Sequence, residues 1–87
     1  MKSFNALFSQ LEQVAATMPP DSNSARLLAA GAHEIGKKVV EEAAEVWMAA
    51  EFQSKEALAL EASQLIYHVQ LLLVSKGVRL QDLEERL

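Results

Sequence analysis

Apolar residues recur every three or four positions along most of the chain, the period of a helix with one buried face. Phe4, Leu7, Phe8, Leu11, Val14 and Ala15 form the first such series, predicting a helix from about Ser3, as N-cap, to Thr17. Pro19 and Pro20 with Asp21, Ser22, Asn23 and Ser24 make a loop. A short second helix is expected from Ser24 to Ala30, and Gly31 and Gly36 bracket a segment able to bend or turn. A third helix should run from about Glu34 to Gln53 and a fourth from Lys55 to Lys76. Ser54 suits the N-cap between them, and Gly77 suits the C-terminus of the fourth. Leu80, Leu83 and Leu87 suggest a last short helix or tail. No alternating stretch bounded by turn residues reads as a strand, and no internal repeat is visible. The pattern therefore predicts an all-α fold of four to five helices, a single domain over residues 1–87.

The two long helices differ in their faces. At about 100° per residue, Ile35, Val39, Ala43, Val46 and Ala50 form a stripe on the third, widened on one side by Val40 and Trp47. Lys38, Glu42 and Glu45 lie along its other edge. On the fourth, Leu58, Ala62, Leu65, Val69 and Leu72 make a main stripe, and Leu60, Tyr67, Leu71 and Val74 a second apolar zone. Glu61, Gln64 and His68 fall between the two zones. A helix apolar on two sides is commonly buried between two neighbours, here including a second copy of the chain. The expected assembly is a homodimer, with the two long helices antiparallel within each copy.

Composition narrows the function classes. With 87 residues, 51% of them hydrophobic, the chain has more apolar surface than one thin core absorbs, which again favours a homodimer. It has no cysteine, which removes disulfides and thiolate metal sites. The formal charge of −4 argues against a nucleic-acid surface. No uninterrupted apolar run has the length of a membrane span, and the N-terminus lacks a basic-then-apolar leader pattern, so a cytoplasmic protein without membrane partners is expected.

The chemistry lies in the carboxylates. Glu41, Glu42 and Glu45 form an E-E-x-x-E run, and Glu61 follows sixteen residues after Glu45. If the long helices pack antiparallel across Ser54, Glu45 and Glu61 come level. Such oxygen clusters suit hard cations, above all Mg²⁺, with Mn²⁺ as the other candidate. The same run also suits a solvated face with i,i+4 partners Lys37–Glu41, Lys38–Glu42 and Glu41–Glu45. His68 reads as a hydrogen-bonded interior histidine, and Trp47 and Tyr67 as core or interface residues. Glu41 is the nearest carboxylate outside the metal set, the candidate general base.

Two longer stretches, G36-K-K-V-V-E-E-A-A-E-V-W-M-A-A50 and A57-L-A-L-E-A-S-Q-L-I-Y-H68, resemble the phosphoribosyl-ATP pyrophosphohydrolases. That family belongs to the MazG-like, all-α nucleoside-triphosphate pyrophosphohydrolases. Ser22-x-Ser24-Ala25-Arg26-Leu27-Leu28 resembles its S-x-T-A-K-L-L segment. The resemblance covers nearly the whole chain. It implies hydrolysis of phosphoribosyl-ATP to phosphoribosyl-AMP and pyrophosphate, the second step of histidine biosynthesis, by a metal-dependent homodimer whose long helices form a helical bundle.

Carried over residue by residue, the resemblance implies that Glu42, Glu45 and Glu61 bind metal. The aspartate of the family's E-x-x-D motif is Gln64 here, whose amide oxygen can ligate a metal but brings no charge. Lys38 matches a basic residue that holds phosphate, and Ser22, Ser24 and Arg26 are candidates for contact with substrate. Tyr67 and His68 match the family's Y-H pair, in packing or behind the metal ligands. Two other functions fit the bare residue pattern. One is a house-cleaning hydrolase of ordinary or damaged nucleoside triphosphates. The other is a non-catalytic helical dimerisation module.

Overall fold

The computed structural model describes residues 1–87, which form five helices and no strand. They are α1 (Phe4–Thr17), α2 (Asn23–Ala30), α3 (Ala32–Phe52), α4 (Lys55–Ser75) and α5 (Leu80–Glu84). Their boundaries follow local chemistry. Ser3, Ser22 and Ser54 each accept a hydrogen bond at Oγ from the backbone N–H three residues on, at 3.1 Å. Such caps stabilise a helix start by about 1 kcal/mol each. Ser22 begins α2 one residue before the expected start.

Gly31, at φ 98° and ψ 177°, both ends α2 and begins α3, in a backbone region that side-chain-bearing residues avoid. This single hinge residue lets α3 start at Ala32, two residues ahead of the sequence expectation, while Gly36 lies inside α3. At the end of α4, Val78 N–H bonds to the Leu73 carbonyl and Gly77 N–H to that of Val74, with Gly77 at φ 73°. This is the glycine-dependent helix stop foreseen there.

The α3–α4 hairpin is the frame, with α1 packed on α4 and α2 tucked against α1, α3 and α4. Leu11, Leu27, Ile35 and Leu71, one from each of the first four helices, form the core cluster. Burying a side chain of this size contributes about 1.5–3 kcal/mol. Gln70, fully buried on α4, donates from Nε2 to the Phe4 carbonyl at 3.1 Å and so ties down the start of α1.

The face of α3 that turns inward differs from the expected stripe. Ile35 and Ala49 are fully buried, while Ala43 and Ala50 are exposed and Val40 and Trp47 are 71% and 68% exposed. The inner row is Ile35–Glu42–Ala49, a seven-residue spacing, because α4 docks on that side. On α4 the second apolar zone supplies most of the core contact, through Tyr67, Leu71 and Val74. The main stripe is only partly covered: Leu72 packs on the core, but Val69 is exposed, as is neighbouring Ile66. By length and composition α4 could cross a membrane, a property also met in the central helix of a helical bundle. Here Glu61, His68 and Gln70 interrupt it and α3 packs along it.

Candidate metal centre

Glu42 sits where an apolar residue would be expected, one heptad from fully buried Ile35 and one from fully buried Ala49. Its Oε2 is buried without a hydrogen-bond partner. A carboxylate in such a place is costly unless a cation or donor meets it. The i,i+4 partner expected of Lys38 does not form: Lys38 Nζ lies 3.5 Å from Glu41, three residues on, and Lys37 3.5 Å from Glu34.

Glu45 and Glu61 complete the cluster. Carboxylate oxygens of Glu42, Glu45 and Glu61 all lie within 4.8 Å of one another. The antiparallel register produces this: both Glu45 and Glu61, and Ile35 and Leu71, stand level across the Ser54 turn. Removal from water raises the Glu42 pKa, reinforced by a hydrogen bond with Glu45 and the charges of Glu45 and Glu61, and partly opposed by His68. Glu61 is likewise raised, by partial desolvation and then by its hydrogen bond with, and the charge of, Glu45. Both shifts express the same excess of negative charge in a confined space. An all-oxygen donor set with an orphaned carboxylate oxygen fits a hard divalent cation.

The remaining candidates lie outside the converged group. Gln64 is exposed, three residues beyond Glu61 on the same side of α4. Its backbone carbonyl lies 2.8 Å from His68 Nδ1. A carbonyl only accepts, so Nδ1 carries the proton and buried His68 is the hydrogen-bonded interior histidine foreseen. Glu41 and Lys38 form an exposed pair on α3, and Glu41 is outside the converged group. Ser22 caps α2, and Arg26 donates to Asn23 Oδ1 at 2.5 Å. Ser24 Oγ meets the Tyr67 hydroxyl at 2.5 Å, joining α2 to α4, and the Tyr67 ring meets His68 edge-on at 4.9 Å.

Two features escaped the sequence reading. The central position of Glu42 was legible in its seven-residue spacing to Ile35 and Ala49, a signal hidden by the alanines beside it. Met48 and Phe52 on α3 and Leu60 on α4 are large, apolar and exposed. Met48 and Phe52 had a signal too, at three and seven residues from Glu45.

Fold and site together define a helical protein with a carboxylate cluster clasped between its two long helices. The chain matches the family described as phosphoribosyl-ATP pyrophosphohydrolase over residues 2–87. It is 55% identical over 82 residues to proteins named phosphoribosyl-ATP pyrophosphatase from Streptomyces avermitilis and Streptomyces coelicolor. In both cases the match spans 93% of this chain and 91% of the relative. The chain belongs to the phosphoribosyl-ATP pyrophosphohydrolase family.

Proposed function

We propose that this protein hydrolyses phosphoribosyl-ATP at the α–β phosphoanhydride, releasing phosphoribosyl-AMP and pyrophosphate in the second step of histidine biosynthesis. The observation that carries this reading is the convergence of Glu42, Glu45 and Glu61 in a chain of this family. Residues 1–87 act as a single catalytic domain. Glu42, Glu45 and Glu61 would hold Mg²⁺, or Mn²⁺ in its place, with Gln64 as a neutral fourth ligand or a donor behind the ligands. When bound, such a cation neutralises phosphate charge and makes an attacking water more acidic.

Glu41 is the general base: it takes a proton from the attacking water, whose oxygen bonds to phosphorus while the α–β bridging oxygen leaves with pyrophosphate. Lys38, at the outer edge of the cluster, binds the phosphate chain, and Ser22, Ser24 and Arg26 hold the rest of the substrate. The working protein is a cytoplasmic homodimer with neither nucleic acid nor membrane as partner. Its second copy covers the exposed apolar residues Val40, Trp47, Ile66 and Val69.

The test is pyrophosphate release from phosphoribosyl-ATP by purified protein, with and without Mg²⁺. The reading expects turnover that disappears in excess EDTA while the helical signal persists. Full turnover in EDTA would overturn the metal reading. Equal kcat/KM for ordinary nucleoside triphosphates would replace the substrate assignment by a house-cleaning one.

A further inference from the structure

Lys38, Glu45 and Phe52 lie seven residues apart along α3. At about 100° and 1.5 Å per residue, they form one row with steps of about 10 Å. The row therefore offers a cation, a carboxylate of the candidate metal centre and an aromatic ring in order. Phe52 is 79% exposed, Met48 beside it 54%, and Leu60 across the hairpin 57%. Leu60 lies one turn before Gln64, on the same side of α4. Trp47, the larger aromatic, is about 160° round the helix from Glu45 by the same geometry and bonds to Glu51 instead, at 3.0 Å.

Resting on the proposed activity, we infer that Met48, Phe52 and Leu60 form the platform on which the substrate's adenine ring docks. The order of the row orients the nucleotide. Its phosphates run from the carboxylates towards Lys38, and its base lies towards the hairpin tip. Each step of the row is on the scale of a nucleotide measured from its phosphate across its sugar to its base. A ring lying on Phe52 uses its face and leaves its edge free, where the phosphoribosyl group is carried. A flat apolar surface suits this task, since every base has a π-face and aromatic stacking is worth about tenfold or more in affinity.

The experiment compares two product ligands by calorimetry in Mg²⁺, phosphoribosyl-AMP and inorganic pyrophosphate, on the parent, Phe52→Ala, Phe52→Trp and Met48→Ser. Phe52→Ala should weaken phosphoribosyl-AMP about tenfold and leave pyrophosphate unchanged, Phe52→Trp should restore it, and Met48→Ser should show a smaller selective loss. Unchanged nucleotide affinity, or equal loss for both ligands, would overturn the platform. So would nucleotide loss that follows a change in sedimentation, because the patch would then be a contact between copies. Phe52 is too exposed for its truncation to unfold the chain. The comparison needs no turnover: failure of the parent to hydrolyse phosphoribosyl-ATP would sink the proposed activity, whereas the ratio of the two affinities decides the platform.

Discussion

Glu45 on α3 and Glu61 on α4 face one another across the hairpin, their carboxylate oxygens within 4.8 Å. Like charges so close repel, and the third carboxylate, Glu42, adds to the strain from a position between buried apolar neighbours. The arrangement destabilises the bare fold, and a bound cation would relieve that repulsion.

Activity should divide the cluster from its surroundings. Glu42→Gln, Glu45→Gln and Glu61→Gln should each lose at least about a hundredfold in rate, the scale of a lost electrostatic stabiliser. Gln64→Ala should lose less, since no charge leaves with it. Rates across a Mg²⁺ titration give the ranking, and a Gln64→Ala variant as inactive as Glu61→Gln would reverse it.

Lys38→Met should raise KM or lower kcat more than Lys37→Met. Lys38 pairs with Glu41 beside the carboxylates, whereas Lys37 pairs with Glu34, away from them. Equal effects would mean that the phosphates lie elsewhere.

Without metal, acid should favour the fold. Because Glu42 and Glu61 titrate above their ordinary range, the folded chain binds more protons than the unfolded one between the ordinary and raised values. The corresponding stability is fully present below the ordinary value and is lost as pH rises through the raised one. Melting temperature in EDTA should therefore fall across that window, and Mg²⁺ should offset the fall by binding the folded state. Glu42→Gln should raise the metal-free melting temperature at neutral pH and diminish its response to Mg²⁺. A variant that is less stable in EDTA would contradict the repulsion argument.

The C-terminal helix should respond in the opposite sense. Asp82 accepts hydrogen bonds from the Arg79 side chain and from its backbone N–H, at 2.9 Å for the latter, and these hold its pKa below the ordinary range. Its contribution is present above the ordinary carboxylate value and is lost as pH falls through the lowered one. Hydrogen exchange in Leu80–Glu84 should accelerate in acid relative to the trend in α3, and Asp82→Asn should show that faster exchange already at neutral pH.

Association is tested on the open faces. Trp47→Glu should shift the protein to monomers in sedimentation, since it puts a charge in the proposed contact between copies. Leu71→Ala should instead cost about 2–5 kcal/mol of stability, a cavity beneath all four core helices. A parent protein that sediments as a folded monomer at micromolar concentration would remove the homodimer.

Helix existence, and helix ends to within two residues, were readable from the chain because their causes are local. Ser3, Ser22 and Ser54 cap with their own side chains, Gly31 and Gly77 supply backbone angles other residues avoid, and apolar spacing marks each helix. The Glu45–Glu61 level was readable too, because a two-residue turn leaves an antiparallel pair little choice of register. Which side of α3 faces inward was not. Its apolar residues spread over more than one face, and alanines bury little area, so periodicity alone does not choose between Ala43–Ala50 and Glu42–Ala49. The docking of α4 against Ile35 and Ala49 chose, and it carried Glu42 inward at the cost of an unpartnered oxygen. Tertiary packing likewise tied Ser24 to Tyr67 and left Phe52 and Trp47 exposed on different sides of one helix, because those outcomes depend on which surfaces the other helices reach.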